Sequence, residues 1–212
     1  FSFHPRKAVT TGEGGMVLVK NPDHYALVRT LRDHGASKSD LARHDGKAAF
    51  LLSQFEHLGY NYRMTDIQGA LGSSQMDKAA WVLEHRVKRA KRYDTLLEKI
   101  GWLKAPVVPD GAEHAYQSYV CLFEPETPSM ANLERLNGLR NSILTIAEEL
   151  GVSTRQGTHA IHGLGWYRRN FGYKPTDLPK SWIAEHLTMT LPLYPQMTDE
   201  EQDYVIEILE EA

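Results

Sequence analysis

The apolar residues of this 212-residue chain fall into short blocks with two different periods. "MVLV", Met16 to Val19, is an unbroken apolar run between Gly14-Gly15 and Asn21-Pro22, the pattern of a buried strand. A helix should follow it. Asn21 suits an N-cap, Pro22 the first helical position, and Leu27, Val28 and Leu31 share a face. Gly35 then stands where a left-handed cap is wanted. Residues 36–57 are polar and irregular, with room for a short helix at "AAFLL". Thr65 and Gln68 have capping-box spacing, so a second helix should start at Asp66. Its apolar positions run Ile67, Ala70, Leu71, Ser74, Trp81 and Val82, then Leu96, Leu97 and Ile100. That spacing predicts one long helix to Gly101, kinked near Gly72. "KAPVVP" and "AYQSYVCLF" read as strands. Ser129 to Leu150 is amphipathic through Leu133, Leu136, Ile143, Leu144 and Ala147, and Gly151 closes it. "HGLGWYRRNFGYKP" is an aromatic loop or short helix. Thr198 and Glu201 repeat the capping-box spacing, and Tyr204, Val205, Ile208 and Leu209 form the last buried stripe. Strands mixed with helices predict an α/β or α+β fold, with a domain boundary in the first turns of the long helix, giving 1–76 and 77–212.

Composition narrows the function classes. Hydrophobic residues make up 42% and charged residues 24%, with a net charge of −3. Both signs are interspersed, which argues against a nucleic-acid surface. The basic run "EHRVKRAKR" is too short and too locally balanced to change that and reads as a solvated helix face. No apolar run approaches the roughly 18 residues of a membrane span. A single cysteine, Cys121, cannot form an internal disulfide, which predicts a reducing, cytoplasmic setting. Within "SYVCLF" it reads as a buried hydrophobe.

The chemistry gathers at the first residues, "FSFHPRKAVTTGEGGMV". Lys7 follows Ser2, His4 and Pro5, groups suited to a tight turn. It precedes Thr10, Thr11, Gly12, Gly14 and Gly15, where glycines allow a ligand close to the backbone. A lysine held in a partly desolvated place can act as an amine nucleophile. "TTGEGG" has neither the GxxxxGK[ST] nor the GxGxxG spacing, so a phosphate-binding P-loop or dinucleotide fold is a weak match.

"SFHPRKAVTTGEGGMV" resembles the active-site lysine segment of the DegT/DnrJ family of pyridoxal-phosphate sugar aminotransferases. "LGYNYRMTDIQGALGSSQMDK" resembles its second signature and "LPLYPQMTDEEQDYVIEIL" its C-terminal ending. The resemblance implies the aspartate-aminotransferase-like α/β fold of fold-type-I transferases. Residues 1–76 would be the remainder of the large cofactor domain and 77–212 the small α+β domain. It implies that Lys7 is the Schiff-base lysine, shuttling a proton between the donor carbon and C4′ of the cofactor. Ser2 matches a hydroxyl that binds the cofactor phosphate. Asn61 matches an asparagine that reaches the phosphate from the neighbouring subunit of a homodimer, although Arg63 could also meet an anion there. Thr65 is better explained as a helix cap.

The same resemblance places the late region at the mouth of the active site. Arg155, His159 and His162, with Arg168 and Arg169, become candidates for a nucleotide-sugar diphosphate or a donor carboxylate. Trp166, Tyr167, Phe171 and Tyr173 could stack on a base or sugar, or simply pack the small domain. A zinc site at His159 and His162 would need further ligands at suitable spacing, and none stand nearby.

The implied activity is transfer of an amino group from glutamate or glutamine to a nucleotide-linked keto-sugar, a step of deoxysugar or polysaccharide biosynthesis. Two alternatives stand beside it. One is a pyridoxamine-dependent sugar dehydratase, whose members carry histidine in place of Lys7. The other is a non-catalytic remnant or interaction domain of the same fold. No carboxylate for the pyridine nitrogen and no stacking ring can be placed in this sequence. The chain opens inside the lysine motif, so by this resemblance it reads as the C-terminal half of a protein of about twice the length, expected alone neither to bind pyridoxal phosphate tightly nor to transaminate.

Overall fold

The computed structural model describes residues 1–36 and 52–211. It divides into two compact units, Phe1–Ala79 and Ala80–Ala212. Most of the "AAFLL" segment lies outside the described residues.

In the first unit, local signals set the helices. Helix α1, Pro22–Leu31, begins where the Asn21 side chain accepts from the N–H groups of Asp23 and His24. It closes where Gly35, at φ +78°, donates to the carbonyl of Thr30. A side chain could not replace that glycine, because a Cβ would stand 1.9 Å from the carbonyl oxygen of His57. Helix α2, Asp66–Met76, starts at Thr65 with the full capping box. The expected buried strand at Met16–Val19 does not form. Met16, Val17 and Leu18 are exposed and belong to no strand. A buried strand needs a hydrogen-bonded neighbour on each side, and among the described residues the bridge next to this segment is an isolated one, between Ser2 and Gly15. On the apolar faces of α1 and α2, Leu27, Ile67 and Leu71 are likewise exposed, while Val28 and Leu31 are half-buried.

The long helix is interrupted at Asp77–Lys78 rather than kinked at Gly72. Helix α3 then runs from Ala79 to Leu96, followed by one 3₁₀ turn, Leu97–Lys99.

The second unit is an antiparallel four-stranded sheet with helices. Strand β1 is Leu103–Lys104, β2 Tyr119–Phe123, β3 Arg155–Gln156 and β4 Thr188–Leu191, in the order β1-β2-β4-β3. Residues 105–109 of the expected "KAPVVP" strand lie outside it. Helix α4 is Leu133–Glu149, α5 Gly165–Phe171, α6 Pro179–Leu187 and α7 Asp199–Glu211. Strand β4 is central, pairing Cys121 with Met189 and Gln156 with Met189 on its two edges. Strand β4 buries Met189 and Leu191 and turns Thr188 and Thr190 away, the period-2 pattern of a half-buried strand, with Leu187 buried at the end of α6 before it. Burial pushes the Cys121 thiol well above its ordinary range. In α7 the buried residues are Gln202, Val205, Ile206, Ile208 and Leu209. Tyr204 is exposed, with its hydroxyl donating to the carbonyl of Leu150.

The basic run of α3 is not simply a solvated face. Arg86 is buried and donates from Nε to the carbonyl of Tyr116 (3.0 Å) and from Nη2 to that of Gln117 (2.7 Å). Tyr116 sits at φ +46°, so Arg86 holds a backbone conformation that a tyrosine rarely adopts. Arg89 pairs with Asp199, and Arg92 with Asp203 at 2.8 Å, tying α3 to α7. No described helix is long and apolar enough to cross a membrane.

Two outcomes follow from this packing. Arg86→Met leaves two carbonyls without their donor and should cost about 2–3 kcal/mol in denaturant unfolding. The carboxyl of Asp199 is held low by the Arg89 hydrogen bond, and that of Glu201 by the Thr198 N–H. A depressed carboxyl stabilises the fold above its unfolded pKa and ceases to do so as pH falls through the folded value. Thermal melts of the parent should therefore weaken on acidification through the carboxylate range, and Asp199→Asn should flatten that dependence.

Candidate active site around Lys7

Residues 1–16 close into a loop through their own backbone. The Phe3 N–H donates to the carbonyl of Gly14 (2.9 Å), and the Phe3 carbonyl accepts from the Thr11 N–H (3.1 Å) and the Thr10 hydroxyl (3.0 Å). Met16 N–H donates to the Phe1 carbonyl. Between these ties, Pro5 and Arg6 form a turn closed by the Lys7 N–H on the carbonyl of His4. Lys7 thus sits at the tip of a short, closed excursion. Its side chain is exposed, and its amine has no hydrogen-bond or ion-pair partner among the described residues. The described residues leave Lys7 exposed and supply backbone constraint rather than the anticipated partial desolvation.

Ser2 lies at the mouth of the same loop, bridged to Gly15. Its hydroxyl oxygen is 3.4 Å from the N–H of His4, which donates to it. A Cβ on Gly15 would come within 2.8 Å of the Phe1 carbonyl oxygen, so the narrow approach of the two segments requires glycine.

Asn61 is exposed on a segment laid along the end of α1. Tyr60 N–H donates to Leu31, and Tyr62 N–H to Arg32, each at 2.8 Å; Asn61 bridges Asp33. The Tyr60 and Tyr62 rings stack at 5.1 Å. Arg63, the rival for an anion, donates to Asp33 at 3.0 Å, so part of its charge is already met.

The three late candidates separate within the second unit. Arg155 is exposed on edge strand β3. His159 is exposed, with Nδ1 3.7 Å from Glu185. His162 is instead only 4% exposed, packed edge-on against Tyr173 and Trp182. Neither of its ring nitrogens has a hydrogen-bond partner among the described residues. Trp166, Tyr167, Phe171 and Tyr173 pack in sequence on one another, with ring centroids 5.1 to 6.1 Å apart; Trp166 and Phe171 remain largely exposed.

A family model described as the DegT/DnrJ/EryC1/StrS aminotransferase family matches residues 1–210. The chain belongs to that family. The spore coat polysaccharide biosynthesis protein SpsC of Bacillus subtilis is 31% identical over 98% of this chain and 51% of its own length. An uncharacterized Methanocaldococcus jannaschii protein, MJ1066, is 33% identical over 95% of this chain and 50% of its own. Among solved structures, the pyridoxamine-phosphate form of the putative sugar aminotransferase Spr1654 from Streptococcus pneumoniae superposes with a TM-score of 0.81. It is 25% identical and covers 100% of this chain and 51% of that one. Helicobacter pylori PseC, an aminotransferase of pseudoaminic acid biosynthesis, shares the fold at TM-score 0.81 and 22% identity, over 99% of this chain and 51% of that one. This member of the DegT/DnrJ/EryC1/StrS family therefore spans about half the length of the relatives it matches.

His162 yields a test within the second unit. A buried ring whose two nitrogens lack partners among the described residues gains nothing from being polar. His162→Phe should keep or raise the melting temperature, whereas His162→Ala should lower stability by about 2–3 kcal/mol through the cavity it leaves. A large loss with phenylalanine would show that a ring nitrogen is needed there.

Proposed function

We propose that this chain carries the lysine-bearing half of a pyridoxal-phosphate-dependent sugar aminotransferase. The observation that carries the reading is the exposed amine of Lys7, without a partner among the described residues, at the tip of a backbone-closed loop, in a chain that matches the family from residue 1 to 210. The local groups fit the cofactor. A free primary amine suits an aldehyde, while the Ser2 hydroxyl, beside a bend that only glycine permits, and the exposed Asn61 amide suit a phosphate.

When bound, pyridoxal phosphate supplies the electron sink that acidifies the donor's α-carbon. The chain's residues do the rest. Lys7 Nζ would be the base that moves the proton between that carbon and C4′ of the cofactor, and its place in the loop would limit where the proton can go. Ser2 Oγ and Asn61 Nδ2 would hold the phosphate. Asn61 would act on the site of a second copy in a homodimer. Arg155 and His159 offer a fork and a ring for the anionic part of the substrate, a nucleotide-linked keto-sugar. His162 would act there only by supporting its neighbours. The amino donor would be glutamate or glutamine, and the setting cytoplasmic. Residues 1–76 would belong to the cofactor domain and 77–212 to the small domain.

The test is covalent trapping. Incubation of the chain with excess pyridoxal phosphate, then borohydride, should put the pyridoxyl mass on the Lys7 peptide ahead of other lysines. Lys7→Ala should abolish it. Ser2→Ala and Asn61→Ala should each remove most of the preference for pyridoxal phosphate over pyridoxal. The chain alone should show trapping without turnover on keto-sugar nucleotides. Labelling spread evenly over the lysines would defeat the assignment of Lys7.

A further inference from the structure

The carbonyl oxygen of Glu13 accepts two side-chain hydrogen bonds. The Thr11 hydroxyl donates to it at 2.8 Å, and the Gln68 amide at 2.9 Å. These donors come from different parts of the first unit. Thr11 belongs to the lysine loop, and Gln68 is the third residue of α2. Gln68 cannot be turned around. Its Oε1 accepts from the Thr65 N–H (3.0 Å) and the Thr65 hydroxyl (3.1 Å), which leaves Nε2 as the donor toward Glu13.

Packing repeats the connection. Thr11 is the one buried side chain among the described residues of this unit. A Cβ on Gly14 would meet its Oγ1 at 2.6 Å, and a Cβ on Gly72 its Cγ2 at 3.0 Å. Thr11 therefore lies between a glycine of the loop and a glycine of α2. Gly12 and Gly14, at φ +80° and +150°, let the chain turn around it and aim the Glu13 carbonyl inward.

We infer that Gln68 and Thr11 are positioning residues for Lys7, registering the lysine loop on the first turn of α2 through the Glu13 carbonyl. Phe3 ties the two sides of the loop together at Thr11 and Gly14, next to Glu13, so holding that carbonyl holds the base from which Lys7 projects. The α2 capping box is then more than a helix start. Its glutamine keeps its oxygen for Thr65 and gives its nitrogen to the loop.

The inference rests on the reading of Lys7 given above, and the test separates the two. Gln68→Glu preserves an acceptor for Thr65 while removing the donor to Glu13. Thr11→Val preserves the packed shape while removing the hydroxyl, and Thr11→Ser restores it. Thr65→Ala weakens the cap but leaves the Gln68 donor. Each variant of the full chain is trapped with pyridoxal phosphate and borohydride. Amide exchange at Phe3, Thr11 and Met16 is read without cofactor. Gln68→Glu and Thr11→Val should each lower Lys7-specific trapping about tenfold, the worth of roughly one hydrogen bond. They should also speed exchange at those amides. Thr11→Ser should recover most of both, and Thr65→Ala should leave trapping near the parent value. Parent-like trapping and exchange in Gln68→Glu would overturn the inference, as would an equal loss in Thr65→Ala. If the parent itself shows no preference for Lys7, the aminotransferase reading falls, and the exchange rates alone decide whether Gln68 holds the loop.

Discussion

A lysine can serve chemistry at a fixed point only if the backbone beneath it has one conformation. Here the peptide groups of Phe3 impose that constraint. Its N–H is given to Gly14, and its carbonyl takes the Thr11 N–H and the Thr10 hydroxyl. Both sides of the loop are thereby tied at one residue, and the segment carrying Lys7 can only project from that knot. Ser2 is set by the same ties, because its bridge to Gly15 is the next rung outward. Were the Phe3 pairing absent, neither the serine nor the amine would have a defined place, however suitable their chemistry.

The second unit meets a different constraint. Its sheet is small, and two of its four strands are only two residues long. Side chains supply what the ladder does not. Arg86 donates to carbonyls in the connection ahead of β2, and the Tyr119 hydroxyl reaches Asp94 at 2.5 Å. Burial, with that contact, pushes the Tyr119 phenol far above its ordinary range, so it stays a donor. The Tyr93 hydroxyl bonds the carbonyl of Pro192 just past β4. Helix α3 thus fixes both central strands through polar groups at the edge of an apolar core. Such groups specify geometry, because each loses its partner if the helix shifts.

The two regions differ in how their functional candidates are placed. In the first unit, Lys7, Ser2 and Asn61 are all exposed and held by backbone bonds. In the second, Arg155 and His159 are exposed at a sheet edge and its following segment, while His162 has turned inward among aromatic rings. Three residues close in sequence have separate physical roles, because Arg155 lies on an edge strand, His159 in the irregular segment after it and His162 in a short turn packed on aromatic rings.

What the chain determined by itself was local. The caps at Asn21, Thr65 and Thr198 were legible because each is completed within about four residues, as were the glycine stops at Gly35 and Gly151. The lysine motif and its family were legible because they are contiguous. Tertiary structure decided what depends on distant partners. Strand β4 is a strand because Cys121 and Gln156 pair with it, and Met16–Val19 lies outside any strand because the described residues offer it no ladder. Arg86, Arg89 and Arg92 left the solvent-facing role that their spacing suggested because carbonyls and acids from remote segments met them. The second task of Gln68 was hidden for the same reason: a capping box is written in neighbouring residues, but the carbonyl that takes its nitrogen comes from a loop far away in sequence.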